Sequence, residues 1–96
     1  MRRVIVYSEI PQAKSELEML RAQAARLEKS IRRAELNAEM NEIEAEMGKN
    51  WQVISGIRER FPETDESASN VIRSIEKMNE ELNARWNVVY KEYFHL

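Results

Sequence analysis

The sequence contains no cysteine, which excludes disulfide bonds and thiolate metal sites. A small chain without disulfides is typical of a reducing compartment, so we expect the protein in the cytoplasm, with the nucleus as the alternative. Only two glycines and two prolines occur among the 96 residues. Because these residues are the usual breakers of regular structure, their scarcity predicts long helices or strands within a single domain.

A large excess of charge of one sign is also missing. Fifteen Lys and Arg residues stand against seventeen Asp and Glu residues, which gives a net charge of -2. This balance provides no overall attraction for nucleic acid or for an anionic membrane. The apolar run Val4 to Val6 is too short for the hydrophobic region of a signal peptide, and no segment approaches the length of a membrane span. We therefore expect no membrane insertion.

The residue patterns that carry catalysis are absent as well. The sequence shows neither a nucleophile paired with a base nor a glycine loop that could hold a phosphate, so we expect no enzyme, no catalytic residues, no cofactor and no small-molecule substrate. His95 is the single histidine, and without cysteine a transition-metal site would depend on carboxylates. We accordingly predict no metal ligands.

What the sequence does contain is helical periodicity. Apolar residues recur at steps of three and four from Ala68 to Leu96, which predicts an amphipathic helix. An earlier pattern follows Pro11, which suits the first turn of a helix. Its first stripe comprises Leu17, Leu20, Ala24, Leu27 and Ile31, and its second comprises Leu36, Met40, Ile43, Met47, Trp51, Ile54 and Phe61.

The two stripes of the earlier pattern are separated by a step of five, from Ile31 to Leu36. Such a step either rotates the apolar face around one helix or marks a turn between two helices. No glycine or proline lies between these residues. We therefore favour one long helix with a rotated face.

The chain is predicted to form one helical domain, residues 1-96. We expect an extended N-terminal segment over 1-10, a long helix over 11-61 with a kink near Gly48, a turn over 62-66 at Pro62, and a second helix over 67-95. For the segment that includes Val4 and Tyr7, a loosely docked tail and strand addition to a partner both stay open. The fold class is therefore all-α: a long antiparallel helical hairpin, a coiled coil, completed as a three- or four-helix bundle by oligomerisation.

The sequence from Phe61 to Val89, FPETDESASNVIRSIEKMNEELNARWNVV, resembles the last helix of a spectrin repeat with the loop before it. The similarity consists of an acidic loop after a proline turn, followed by heptads that end in Leu-Asn-Ala-Arg-Trp. It implies that Trp86 is a core residue of a helical coiled coil, and it implies no catalytic residue. Because the segment before Phe61 shows no first loop, a third helix would come from another chain.

Charged residues of the long helix form two blocks. Arg21, Arg26, Lys29, Arg32 and Arg33 accompany one acid, Glu28, whereas Glu35, Glu39, Glu42, Glu44 and Glu46 accompany no base. Two copies running antiparallel about Ala34 would place opposite blocks side by side, which favours an antiparallel homodimer. In the alternative interpretation both blocks are solvated surface.

The C-terminal apolar cluster is wider than one helix seam requires, which is typical of a second contact surface. The predicted partner-binding residues are Trp86, Val89, Tyr90, Tyr93, Phe94, Leu27 and Ile31. We predict a structural or adaptor protein-protein interaction module, a scaffold whose partner is itself or another protein in a hetero-oligomer. The alternative is a small regulator or chaperone that captures a partner helix in an open apolar groove. A third hypothesis, less favoured, is nucleic-acid binding through the basic segment 21-33.

Overall fold

The computed structural model describes Val4 and residues 6-96, and these residues are all-α without a strand. A short 3-10 helix, Tyr7–Glu9, precedes two α-helices. Helix α1 spans Ile10–Arg60 with 51 residues, and helix α2 spans Glu66–Phe94 with 29 residues. The contacts divide the chain into two units, Met1–Arg32 and Arg33–Leu96, and α1 runs through both.

The first unit contains the N-terminal segment and the beginning of α1. Val6 has extended backbone angles, but its carbonyl accepts a hydrogen bond from the Glu9 amide at 2.9 Å, which closes the 3-10 turn. The extended segment predicted for 1-10 is therefore wrong for Tyr7–Glu9, because this local bond satisfies a backbone that has no strand beside it. Residues 1-3 and 5, on which the rest of that prediction falls, lie outside the described residues.

The second unit is an antiparallel helical hairpin, as predicted. The contacts between the helices show the antiparallel direction, because residue numbers increase along α1 as they decrease along α2. The contacts are Glu44 with Trp86, Asn50 with Asn79, and Arg58 with Glu76. The core consists of Leu36, Met40, Ile43 and Val89, with Met47, Leu82, Trp86 and Leu96 packed against it. Ile54 is also fully buried, nearer the turn. Burial of these apolar side chains supplies the main stabilisation of the hairpin.

The turn between the helices occupies residues 61-65, where Pro62 follows the end of α1. The Pro62 carbonyl accepts a hydrogen bond from the Asp65 amide at 3.0 Å. Asp65 is the N-cap of α2, and its side chain accepts a hydrogen bond from the Ala68 amide at 2.9 Å. Such a cap satisfies one of the amides that a helix start leaves unpaired, and Glu66 adds a negative charge in the first turn.

Helix α1 continues through the step of five between Ile31 and Leu36, so no turn separates the two stripes. It also continues as one helix through Gly48 and Gly56. The kink near Gly48 and the completion of a larger bundle by oligomerisation stay predictions.

The apolar stripes do not coincide fully with the packed faces. Trp51 and Met78 belong to the predicted stripes, yet they are 48% and 52% exposed, and their neighbours Asn50 and Asn79 lie between the helices instead. On α2, Val71 is likewise 48% exposed, while Ile72 is partly buried. The two asparagines bond to each other, so one shared layer of the interface is polar.

Candidate partner-binding surfaces

The first unit exposes a row of apolar side chains, here called the N-terminal row: Leu17, Leu20, Ala24, Leu27 and Ile31. The four large side chains are 46%, 62%, 63% and 52% exposed in chain order. Their spacing of three and four places them on one face of α1. Leu27 and Ile31, which the sequence predicts to bind a partner, therefore lie on an exposed helix face.

Basic side chains surround the N-terminal row. Arg21, Arg26, Lys29 and Arg32 are exposed, as is Arg33 at the start of the second unit. The Arg33 guanidinium donates a hydrogen bond to the Leu96 carbonyl at 3.2 Å, so this member of the block also contacts the end of the chain. The acidic block that follows includes Glu39, which forms an ion pair with Arg85 at 3.8 Å between partly exposed groups. Such exposed pairs typically contribute less than about 1 kcal/mol.

A second surface is the aromatic ladder on α2, formed by Trp86, Tyr90 and Phe94 at successive steps of four. The ring centroids of Trp86 and Tyr90 are 5.1 Å apart with an interplanar angle of 8°, and those of Tyr90 and Phe94 are 6.1 Å apart. The Trp86 indole Nε1 donates a hydrogen bond to Glu44 Oε1 at 3.1 Å. This bond attaches the ladder to α1 at one end, while Phe94 at the other end is 72% exposed.

The residues predicted to bind a partner at the C-terminus therefore fall into two groups. Val89 is only 7% exposed and belongs to the hairpin core, and Trp86 packs partly buried against that core. Tyr90, Tyr93 and Phe94 present exposed surface. The structure thus separates this cluster into a part that holds the hairpin together and a part that faces outward.

The apolar periodicity did not predict the burial of Asn79, which is 4% exposed. Asn50 Nδ2 donates a hydrogen bond to Asn79 Oδ1 at 2.8 Å, and Asn79 Nδ2 has no hydrogen-bond partner among the described residues. A buried polar layer of this kind costs stability but opposes slippage of one helix along the other. Its signal in the sequence was the spacing of Ile75, Asn79 and Leu82, which continues the three-four pattern through a polar residue.

The grooves along the hairpin are shallow and mixed in character. The groove between Asn50 and Leu82 is also lined by Glu46, Lys49 and Arg85. Charged groups of both signs at an open rim do not resemble the apolar, enclosed sites that bind small molecules. The exposed helix faces are thus the stronger candidates for binding.

Within the described part of the chain, no three His, Cys, Asp or Glu side chains form a group that could hold a metal ion. None of the helices described is long and apolar enough to cross a membrane. Comparison with protein-family models, with curated proteins and with solved structures finds no match.

Proposed function

We propose that the protein is a coiled-coil interaction module of structural or adaptor type, which acts by holding another helix against the N-terminal row. The observation that carries this proposal is the exposure of Leu17, Leu20, Leu27 and Ile31, between 46% and 63%, on one face of α1. A row of large apolar side chains at coiled-coil spacing is the surface that a second amphipathic helix covers.

Association of a second helix with the row removes apolar surface from water. Full burial of a leucine or isoleucine side chain contributes roughly 1.5 to 3 kcal/mol relative to exposure. Several such side chains in one row can together offset the entropy that two chains lose on association. A contact of this kind needs no catalytic group, which agrees with the absence of a recognisable reaction pattern in the sequence.

The proposal includes completion of the hairpin into a bundle of three or four helices by oligomerisation. The resemblance to a spectrin repeat is part of this proposal: it implies a core position for Trp86, and Trp86 packs partly buried against the hairpin core. In such an assembly the additional helices come from another copy or from another protein. The lack of cysteine supports function in a reducing compartment such as the cytoplasm.

The test is the molar mass of the purified protein, measured by light scattering over a dilution series. We expect a defined oligomer that dissociates only at low concentration. The variant Leu27→Glu removes one member of the row and introduces a charge, so it should shift dissociation to at least about tenfold higher concentration, a free energy of about 1.4 kcal/mol.

The matched control is Met19→Glu, since Met19 is 61% exposed, against 63% for Leu27, but lies off the row. It introduces the same charge on the same helix, and we expect little change in mass. If the wild-type protein has the mass of one chain at every concentration and gains helicity only with a target protein, the capture alternative replaces the adaptor proposal. Equal effects of the two variants would also contradict the proposal, because the row would then have no special part in assembly.

A further inference from the structure

The N-terminal row is followed on α1 by a row of small residues with the same spacing. From Leu17 to Gly48 the steps alternate between three and four without a break, and the residues that continue the row are Ala34, Ala38, Asn41, Ala45 and Gly48. The apparent step of five from Ile31 to Leu36 arises because Leu36 begins a different stripe. Large side chains predominate in the first half of this row, with Ala24 as the exception, and small side chains predominate in the second half, with Asn41 as the exception.

The small residues face away from the hairpin. Each lies two positions before a residue at the contact with α2: Ala34 before Leu36, Ala38 before Met40, and Asn41 before Ile43. Two positions correspond to about 200° around an α-helix, so the small row is opposite the buried stripe. All five small-row residues are exposed, and a Cβ added at Gly48 would meet nothing within 4 Å. A second helix can therefore approach closely there without displacing α2.

The two rows are complementary in size when a second copy runs antiparallel. With the twofold axis between Arg32 and Arg33, every layer that contains a large residue of one copy contains a small residue of the other. The resulting layers are Leu17 with Gly48, Leu20 with Ala45, Ala24 with Asn41, Leu27 with Ala38, and Ile31 with Ala34. Alternation of large and small side chains across facing positions is what fills a helix interface evenly. A parallel pair would instead place Leu17 on Leu17 and Gly48 on Gly48, which crowds one end and leaves gaps at the other.

We propose that a second copy of this chain binds antiparallel along α1, with the N-terminal row of each copy packed against Gly48, Ala45, Ala38 and Ala34 of the other. This inference rests on the proposed function and specifies its partner and alignment. It moves the axis expected from the charge blocks alone by one to two residues, from Ala34 to the midpoint of Arg32 and Arg33.

Charge supports the same orientation. Residues 21-33 carry five basic groups and one acid, and residues 35-46 carry five acids and no base, so antiparallel copies place opposite charges along each other. Arg21 follows Leu20 and Glu42 follows Asn41, which brings these two side chains to the same flank of the interface. Glu28 approaches Glu35 of the other copy on that flank, an unfavourable pair between exposed groups. The attraction between the oppositely charged blocks outweighs the repulsion of this one pair. A parallel arrangement would instead place each block beside a block of its own charge.

The lack of native cysteine allows a direct test by disulfide cross-linking of the full chain. The variants Leu27→Cys and Ala38→Cys are prepared separately, and each is exposed to a mild oxidant alone and in an equimolar mixture. In the proposed dimer, positions 27 and 38 of different copies share a layer, whereas the two copies of position 27 are about 16 Å apart along the axis. A disulfide requires Cα atoms within about 7 Å. The mixture should therefore cross-link at least about tenfold faster than either variant alone.

A matched control uses Met19→Cys and Glu46→Cys. These positions lie at the same height along the proposed axis as each other but off both rows, so their mixture should show no preference over the single variants. The pair Leu17→Cys and Gly48→Cys repeats the test at the end of the interface. All of these positions are exposed and none lies in the core, so helicity measured by circular dichroism should be retained.

The outcomes separate this inference from the proposed function. In one outcome, light scattering shows an oligomer while Leu27→Cys and Ala38→Cys cross-link no faster in the mixture than alone. That result overturns the antiparallel alignment and leaves the interaction module intact. Rapid linking of Leu27→Cys with itself would indicate a parallel pair and would also overturn the alignment. A single-chain mass at every concentration overturns the second copy as the occupant of the row and also the defined oligomer expected of the purified protein.

Discussion

The two apolar stripes of α1 both recur mainly at steps of three and four, yet most of the second stripe is buried or partly buried, whereas the whole first stripe is exposed. Leu36, Ile43 and Ile54 are 0% to 2% exposed, whereas Leu20 and Leu27 in the first unit are more than 60% exposed. The difference in burial depends on whether a neighbouring helix is present and not on the stripe itself. Helix α2 has 29 residues against 51 in α1, so in an antiparallel hairpin it can pair with only part of the longer helix. An amphipathic pattern therefore predicts that a face will be covered, but not by which chain.

The largest expected effect comes from comparing the stability of Leu36→Ala with that of Leu20→Ala. Leu36 is fully buried, so its truncation should lower the free energy of unfolding by about 2 to 5 kcal/mol through lost burial and a residual cavity. Leu20 is 62% exposed within its own chain, so its truncation should cost less than about 1 kcal/mol when the chain is dilute. Urea denaturation monitored by circular dichroism at low protein concentration measures both. Equal losses would contradict the contrast between the two stripes.

Repetition of this pair of measurements at high protein concentration sharpens the contrast. If a second chain covers the N-terminal row, the cost of Leu20→Ala should increase with concentration, because the wild-type side chain then becomes buried. The cost of Leu36→Ala should change little, since its neighbours belong to the same chain. A concentration-independent Leu20→Ala effect would indicate that the row stays exposed.

The sequence predicted the elements better than it predicted their contacts. The proline at position 62 and the acids after it located the turn, because a helix stop and a helix N-cap have local residue requirements. The packed faces depend instead on the partner helix. Nothing local indicates that Asn79 pairs with Asn50 while Met78 stays exposed, since that choice depends on a contact across 29 residues of sequence. The same limit explains why Val89, placed among the partner-binding residues, lies inside the hairpin.

The second prediction concerns Trp86, which joins the buried region to the exposed aromatic ladder. Because its ring is partly buried against the core, Trp86→Ala should cost about 2 kcal/mol, less than the 3 to 5 kcal/mol typical of a fully buried ring. Trp86→Phe keeps one aromatic ring and loses the bond to Glu44 and part of the indole surface, so it should cost about 1 kcal/mol, less than Trp86→Ala. Thermal and urea unfolding of both variants test this, and a loss as large for Phe as for Ala would show that a phenyl ring cannot replace the packing and the Nε1 bond of the indole.

The third prediction has the opposite sign. Asn79→Leu removes a buried amide nitrogen that lacks a partner and adds apolar surface to the interface, so it should raise the free energy of unfolding by about 1 to 2 kcal/mol. The cost should be a less specific helix alignment, since the bond to Asn50 is lost. Urea denaturation measures the gain, and broadened or doubled amide resonances in an NMR spectrum would reveal alternative alignments. A loss of stability would instead show that the asparagine pair contributes more than its desolvation costs.

The smallest expected effect is that of the α2 N-cap. Asp65→Ala removes the acceptor for the Ala68 amide and should cost about 1 kcal/mol, whereas the neighbouring Glu63→Ala, which leaves the cap intact, should cost only a few tenths. Amide hydrogen exchange can localise the loss: protection should fall around the first turn of α2 and the residues of α1 that contact it. Exchange in the segment that carries the N-terminal row should stay unchanged, because the large side chains of that row are 46% to 63% exposed. Equal loss of protection in both regions would show that the two stripes of α1 fold as one cooperative unit, and the contrast in their burial would then have no counterpart in local stability.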